Sequence, residues 1–106
     1  MSILPKTEET VDFINIKSTF SLMKPSGIFM NIGRGPTVKE DDLVKALKEK
    51  MIAGAVLDVF TLEPLPQESE LWSLPNILIT PHCADQDSDH LVRAVAIFGV
   101  NLEKFV

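Results

Sequence analysis

The chain has 106 residues, of which 45% are hydrophobic and 24% charged, a balance that fits one soluble globular domain and excludes a fibrous or disordered chain. Its formal net charge of −5 repels nucleic-acid phosphates and anionic headgroups alike, so neither nucleic acid nor a membrane is an expected partner. Cys83 is the one cysteine and has no disulfide partner within the chain, no Cys/His pair stands at zinc spacing, no apolar run reaches spanning length, and Glu8, Glu9 and Asp12 break up any secretory signal, which together predict a cytoplasmic location.

In chain order, Ser2-Ile3-Leu4 reads as the tail of a strand and Ile16 to Met23 as a short helix. Ile28 to Ile32 is an apolar, partly β-branched run between Pro25-Ser26-Gly27 and Gly33-Arg34-Gly35-Pro36, which predicts a buried strand ending in a glycine-flanked turn. Thr37 and Glu40 stand at capping-box spacing and predict the start of a helix whose apolar positions are Leu43, Val44, Leu47 and Met51. The acidic Glu40-Asp41-Asp42 in its first turn complements the helix dipole. Ala53 to Phe60 is apolar nearly throughout, as a strand covered on both faces of a parallel sheet is, with Asp58 its odd member. Thr61 to Leu74 carries Pro64 and Pro66 and reads as a loop with a helical turn near Leu71-Trp72. Asn76 to Thr80 is a third strand stopped by Pro81, and Leu91, Val95, Phe98, Leu102 and Phe105 place an apolar stripe on a long final helix.

Strands alternating with helices predict an α/β fold with a parallel sheet and flanking helices. Ligands of such sheets bind beyond the carboxyl ends of the strands, which points to Gly33-Arg34-Gly35, to Asp58 through Glu63, and to Thr80-Pro81-His82. Two other motifs fail on spacing. Asp85-x-Asp87-x-Asp89 opens like a calcium loop but has His90 at its sixth position and Ala96 at its twelfth. Cys83 adjoins His82, and neighbours on an extended segment point to opposite sides, so Cys83 is read as packing and no metal site is expected. His90 is read as a surface residue of the last helix.

Three segments carry a family resemblance: Asn31-Ile32-Gly33-Arg34-Gly35, then Ala53 through Pro66, then Leu71 through His82. In sequence and spacing they resemble consecutive signatures of the D-isomer-specific 2-hydroxyacid dehydrogenases, which include glyoxylate/hydroxypyruvate reductases, and the likeness runs from about Leu4 through the last helix. The resemblance implies a partial Rossmann-like sheet, residues 1–106 forming a single incomplete nucleotide-binding domain: the later half of a doubly wound unit with a closing helix. It implies NAD or NADP as cofactor and small 2-hydroxy or 2-oxo acids as substrates. By the same resemblance His82 is the acid/base, Glu63 orients its ring, and Arg34 grips the substrate carboxylate. Asp58 would accept from the nicotinamide carboxamide, and Leu4, Ile32, Gly33 and Ala84 would line the cofactor. These residue types suit the reaction, because imidazole titrates near neutrality and guanidinium is a permanent, forked donor for carboxylates.

The sequence also departs from the family pattern. No Gly-x-Gly-x-x-Gly occurs, since Val38 stands where Gly33-x-Gly35 would need its third glycine, so cofactor binding by this chain is expected to be weak or absent. Asp85 replaces a common glycine after the histidine, and Lys39 stands where an acidic or amide residue often follows Val. A non-catalytic module, associating as a homo-oligomer or with a missing-half partner through uncovered strand edges, is the alternative expectation.

Overall fold

The computed structural model describes residues 7–84 and 86–105. The strand tail at Ser2-Ile3-Leu4, the cofactor position Leu4 and Asp85 lie outside the described residues. The elements are β1 (Ile28–Asn31), α1 (Glu40–Lys48), β2 (Gly54–Leu57), β3 (Ile77–Ile79) and α2 (His90–Phe105), with single 3-10 turns at Glu8–Thr10, Phe20–Leu22, Gly35–Thr37 and Glu70–Ser73. The three strands form one parallel sheet in the order β1-β2-β3. Asn31 pairs with Leu57 and Leu57 with Ile79, so all three strands end at one rim. An α/β fold with a parallel sheet is what the alternating periods predict.

One face of the sheet holds the core. Leu43, Ala46 and Leu47 of α1 pack with Ala55 and Leu57 of β2, and Phe20, Ile52 and Leu71 close the sides. Phe20 is fully buried and meets the Phe29 ring edge-on at 5.4 Å between centroids, a favoured geometry for two quadrupoles. The segment predicted as a helix from Ile16 to Met23 is only a turn followed by the 3-10 turn at Phe20–Leu22. Its task is to deliver Phe20 to the core, and one turn does that.

The opposite face is bare, contrary to the prediction of strands covered on both sides. Met30, Val56 and Leu78 are paired across the sheet, and Met30 and Leu78 are more than half exposed, as is Ile28. The final helix forms where its stripe predicts, yet none of its residues is buried. Leu91, Val95, Phe98 and Phe105 stay exposed because α2 runs out from the sheet.

The start of α1 also differs from expectation. The Thr37–Glu40 capping box does not form: Lys39 is the N-cap residue and makes no side-chain cap bond. Other partners take both side chains, one within the preceding turn and one from a distant loop. The Thr37 hydroxyl donates to the Arg34 carbonyl, and the Glu40 carboxylate accepts the Thr61 amide. Asp42 likewise does more than complement the dipole, accepting the Ile16 amide at 3.0 Å beside Lys39.

Truncating Phe20 to Ala removes the ring that joins the N-terminal segment to β1, and is expected to cost about 3–5 kcal/mol. For a domain this small that is a large part of its stability. A urea titration followed by Trp72 fluorescence should show the midpoint collapse, whereas an unchanged midpoint would place the core elsewhere.

Candidate functional site

The site lies at the rim where the three strands end. The β2 exit is held first. Asp58 is 2% exposed, and its carboxylate accepts the Thr80 hydroxyl at 2.5 Å and the Cys83 and Ala84 amides at 2.9 Å each. Burial alone would push its pKa up, but these three donors outweigh it and hold the carboxyl below its ordinary value. One carboxylate thereby ties the end of β3 and the loop after it to the central strand.

That tether places His82. Its φ of 51° lies in the left-handed region, which costs a non-glycine residue about 1–3 kcal/mol and persists only where the surroundings enforce it. Here the residues on its C-terminal side are pinned by Asp58, and its own amide donates to the Thr80 carbonyl at 3.1 Å. The imidazole Nδ1 meets Glu63 Oε2 at 2.7 Å, while Glu63 Oε1 accepts the Phe60 amide at 2.9 Å. Glu63 is therefore fixed by its own loop and fixes the ring in turn. With Nδ1 bound to a carboxylate, the nitrogen left to exchange a proton with a ligand is Nε2. The Glu63 bond, and then its charge, raise the histidine pKa above its ordinary value, and the Glu63 carboxyl is lowered reciprocally, by the His82 bond first and the Phe60 amide second.

Arg34 reaches the same rim from β1. Its side chain is exposed, with Nη1 donating to the Gly33 carbonyl at 2.8 Å, and its charge acts to lower the His82 pKa. The loop that carries it is pressed on the loop that carries Glu63: a Cβ at Gly35 would fall 1.9 Å from the Phe60 carbonyl carbon and oxygen, so only glycine fits there. Beside the Glu63–His82 pair a cleft of about 350 Å³ opens between Phe60, Leu65, Trp72 and Ile79. Of the predicted residues, Glu63 and His82 are in contact and Arg34 shares their rim. His90, as predicted, is exposed at the start of α2.

The residues read as cofactor-facing also make bonds within the chain. The Asp58 carboxylate is buried, its Oδ1 taking the Thr80 hydroxyl and the Cys83 amide and its Oδ2 the Ala84 amide. The Ala84 amide is bound to Asp58, and the Gly33 amide is bound to Asn31 Oδ1 at 3.1 Å. Ile32 is half-buried at the edge of the rim. Among the described residues no group of His, Cys, Asp or Glu could hold a metal ion, and no helix is long and apolar enough to cross a membrane. Sequence reasoning gave no role to Asn31 and Thr80, whose side chains hold two of the rim loops. The signal was a polar residue at each strand's end, where Asn and Thr bond local backbone.

A parallel α/β sheet whose polar side chains gather beyond the carboxyl ends of its strands is a Rossmann-like scaffold. Residues 1–84 match the D-isomer specific 2-hydroxyacid dehydrogenase, NAD binding domain, and the chain belongs to that family. It is 52% identical over 79 residues to the glyoxylate/hydroxypyruvate reductase B of Enterobacter agglomerans, an alignment covering 74% of this chain and 24% of that protein. Among solved structures it resembles the NADPH-dependent glyoxylate/hydroxypyruvate reductase of Sinorhizobium meliloti in complex with NADP and sulfate, with TM-score 0.78 and 35% identity over 97% of this chain and 33% of that one. It resembles the phosphoglycerate dehydrogenase of Lactobacillus plantarum equally, with TM-score 0.77 and 35% identity over 97% and 33%. The chain thus spans a third or less of the length of these relatives.

The pKa shifts set a pH dependence. His82 is raised from 6.5, so its contribution to stability is complete below that value and is lost as pH rises through the folded value. Glu63 and Asp58 are lowered from 4.5 and 3.8, so theirs is complete above those values and is lost as pH falls through the folded ones. The urea midpoint should therefore be highest between pH 4.5 and 6.5 and fall on both sides. Glu63→Gln should bring the His82 ring titration, followed by NMR, back down and flatten the alkaline fall. A His82 midpoint unmoved by this substitution would contradict the pairing.

Proposed function

We propose that this chain carries the substrate-facing residues of an NAD(P)-dependent enzyme that reduces small 2-oxo acids to D-2-hydroxy acids. The observation that carries this reading is the 2.7 Å Glu63–His82 pair on the rim that also presents Arg34. Arg34 would bind the substrate carboxylate through its fork of N–H donors. His82 would give its Nε2 proton to the carbonyl oxygen in reduction and take it back in oxidation, with Glu63 stabilising the imidazolium in between. The nicotinamide of the family's domain supplies the hydride. The glycine turn that cradles phosphates is not in this sequence, so the chain by itself should bind a nicotinamide dinucleotide weakly.

Replacing the matching segment of the Enterobacter agglomerans reductase with this chain tests the reading in an enzyme that has the remaining parts. The chimera should reduce glyoxylate or hydroxypyruvate, and His82→Ala should lower kcat roughly 10²–10⁴-fold, the usual worth of general acid catalysis. Arg34→Ala should act mainly on KM. A chimera whose turnover is indifferent to His82 would refute the assignment.

A second reading, an association module, has its own observation: the exposed sheet face at Ile28, Met30 and Leu78 and the exposed apolar stripe of α2. Contiguous apolar surface of this kind draws a partner, and we propose that the chain self-associates or pairs with the remainder of a full-length relative. Sedimentation velocity across a concentration series should show species larger than 11.8 kDa. A single monomeric boundary at high concentration would count against it.

A further inference from the structure

We propose that Asn31 and Thr37 are positioning residues for Arg34, holding its main chain so that the guanidinium stays on the rim that carries the Glu63–His82 pair. This rests on the reading that Arg34 and His82 serve one substrate.

Three described polar side chains are buried: Asn31, Thr37 and Asp58, at 8%, 5% and 2% exposure. A buried polar group must be hydrogen-bonded or it destabilises the fold, so its partners show what it is for. Asp58 holds the loop of His82. The other two converge on one atom. Asn31 Nδ2 donates to the Arg34 carbonyl at 3.0 Å, Thr37 Oγ1 donates to it at 2.6 Å, and the Thr37 amide approaches it at 3.3 Å. Asn31 Oδ1 also takes the Gly33 amide, so Asn31 spans both sides of the Arg34 peptide. Next in sequence, Gly35 lies against the Phe60 backbone, whose amide is held by Glu63. The Cα from which the Arg34 side chain swings is therefore pinned from the β1 side, from the turn that follows, and against the Glu63 loop.

Side chains that merely ended β1 would affect stability alone. A positioning role also requires that their loss alter what Arg34 does to its neighbour. The charged groups that act on His82 are Glu63, Asp58 and Arg34, and the guanidinium lowers its pKa, so the His82 ring reports the placement of Arg34.

The test is an NMR pH titration of the His82 ring in the full chain and in four variants. Arg34→Ala removes the cation and sets the full upward movement of the midpoint. Thr37→Val, close in shape but without the hydroxyl, should move it the same way by about half of that or more, and Thr37→Ser, which restores the donor, should return it to the starting value. Asn31→Leu, which adds no charge, gives the same measurement if Thr37→Val does not fold. A midpoint that shifts in Arg34→Ala but not in Thr37→Val or Asn31→Leu overturns the positioning role and leaves the shared site standing. A midpoint indifferent to Arg34→Ala overturns the shared site itself.

Discussion

A carboxylate buried at the end of the central strand organises the rim. Asp58 accepts one hydroxyl and two amides from the chain that leaves β3, and an anion so nearly excluded from water is stable only because those donors replace its hydration. Without them His82 would have no reason to keep its left-handed backbone, and without that backbone its ring would not meet Glu63. The Glu63–His82 pair is thus held by a third, buried group. The same logic repeats at β1, where Asn31 and Thr37 grip the carbonyl of Arg34. In each case the residue that ends or follows a strand is polar, buried and fully bonded, while the residue that faces outward is charged and exposed. This division keeps the reactive groups wet enough to titrate and their backbones rigid enough to aim them.

The fold is finished on one side only. α1 and the segments around it seal one face of the sheet, while the other leaves Met30 and Leu78 in contact with solvent and α2 carries an apolar stripe that touches none of the core. Parallel sheets are stable when both faces are covered. The relatives are roughly three times as long as this chain. The elongated shape, 54 Å against 27 and 26 Å, follows from α2 projecting away from the sheet.

Family membership narrows the chemistry without naming the substrate. Two solved relatives match this chain almost equally well, one a glyoxylate/hydroxypyruvate reductase and the other a phosphoglycerate dehydrogenase. What they share with this chain is the scaffold; fold alone does not assign a reaction. The apolar cleft beside Glu63 and His82 has Trp72 and Leu65 in its wall.

Much was legible from the residues alone. The three strands, α1, α2 and the turn near Trp72 follow from local periodicity and punctuation, which act over a few residues and need no tertiary partner. The rim was legible because parallel strands all end on one side, so Arg34, Asp58 and His82 had to be neighbours once their strands were recognised. The errors lie where distant segments compete for the same groups. Thr37 and Glu40 had the spacing of a capping box, but the Arg34 carbonyl of the preceding turn took the Thr37 hydroxyl and the distant Thr61 amide took Glu40. Asp58 has a second task that its strand-end position does not announce, since its carboxylate accepts from Thr80, Cys83 and Ala84. The apolar second strand read as covered on both faces, though hydrophobicity records only that a surface seeks cover. Sequence by itself thus determined which strands and main helices form and at which end of the sheet Arg34, Asp58 and His82 gather, because both depend on local pattern and chain direction. Only the tertiary structure decided which side chains hold the site and which remain free to act, because a hydrogen bond goes to whichever donor and acceptor the packing brings within about 3 Å.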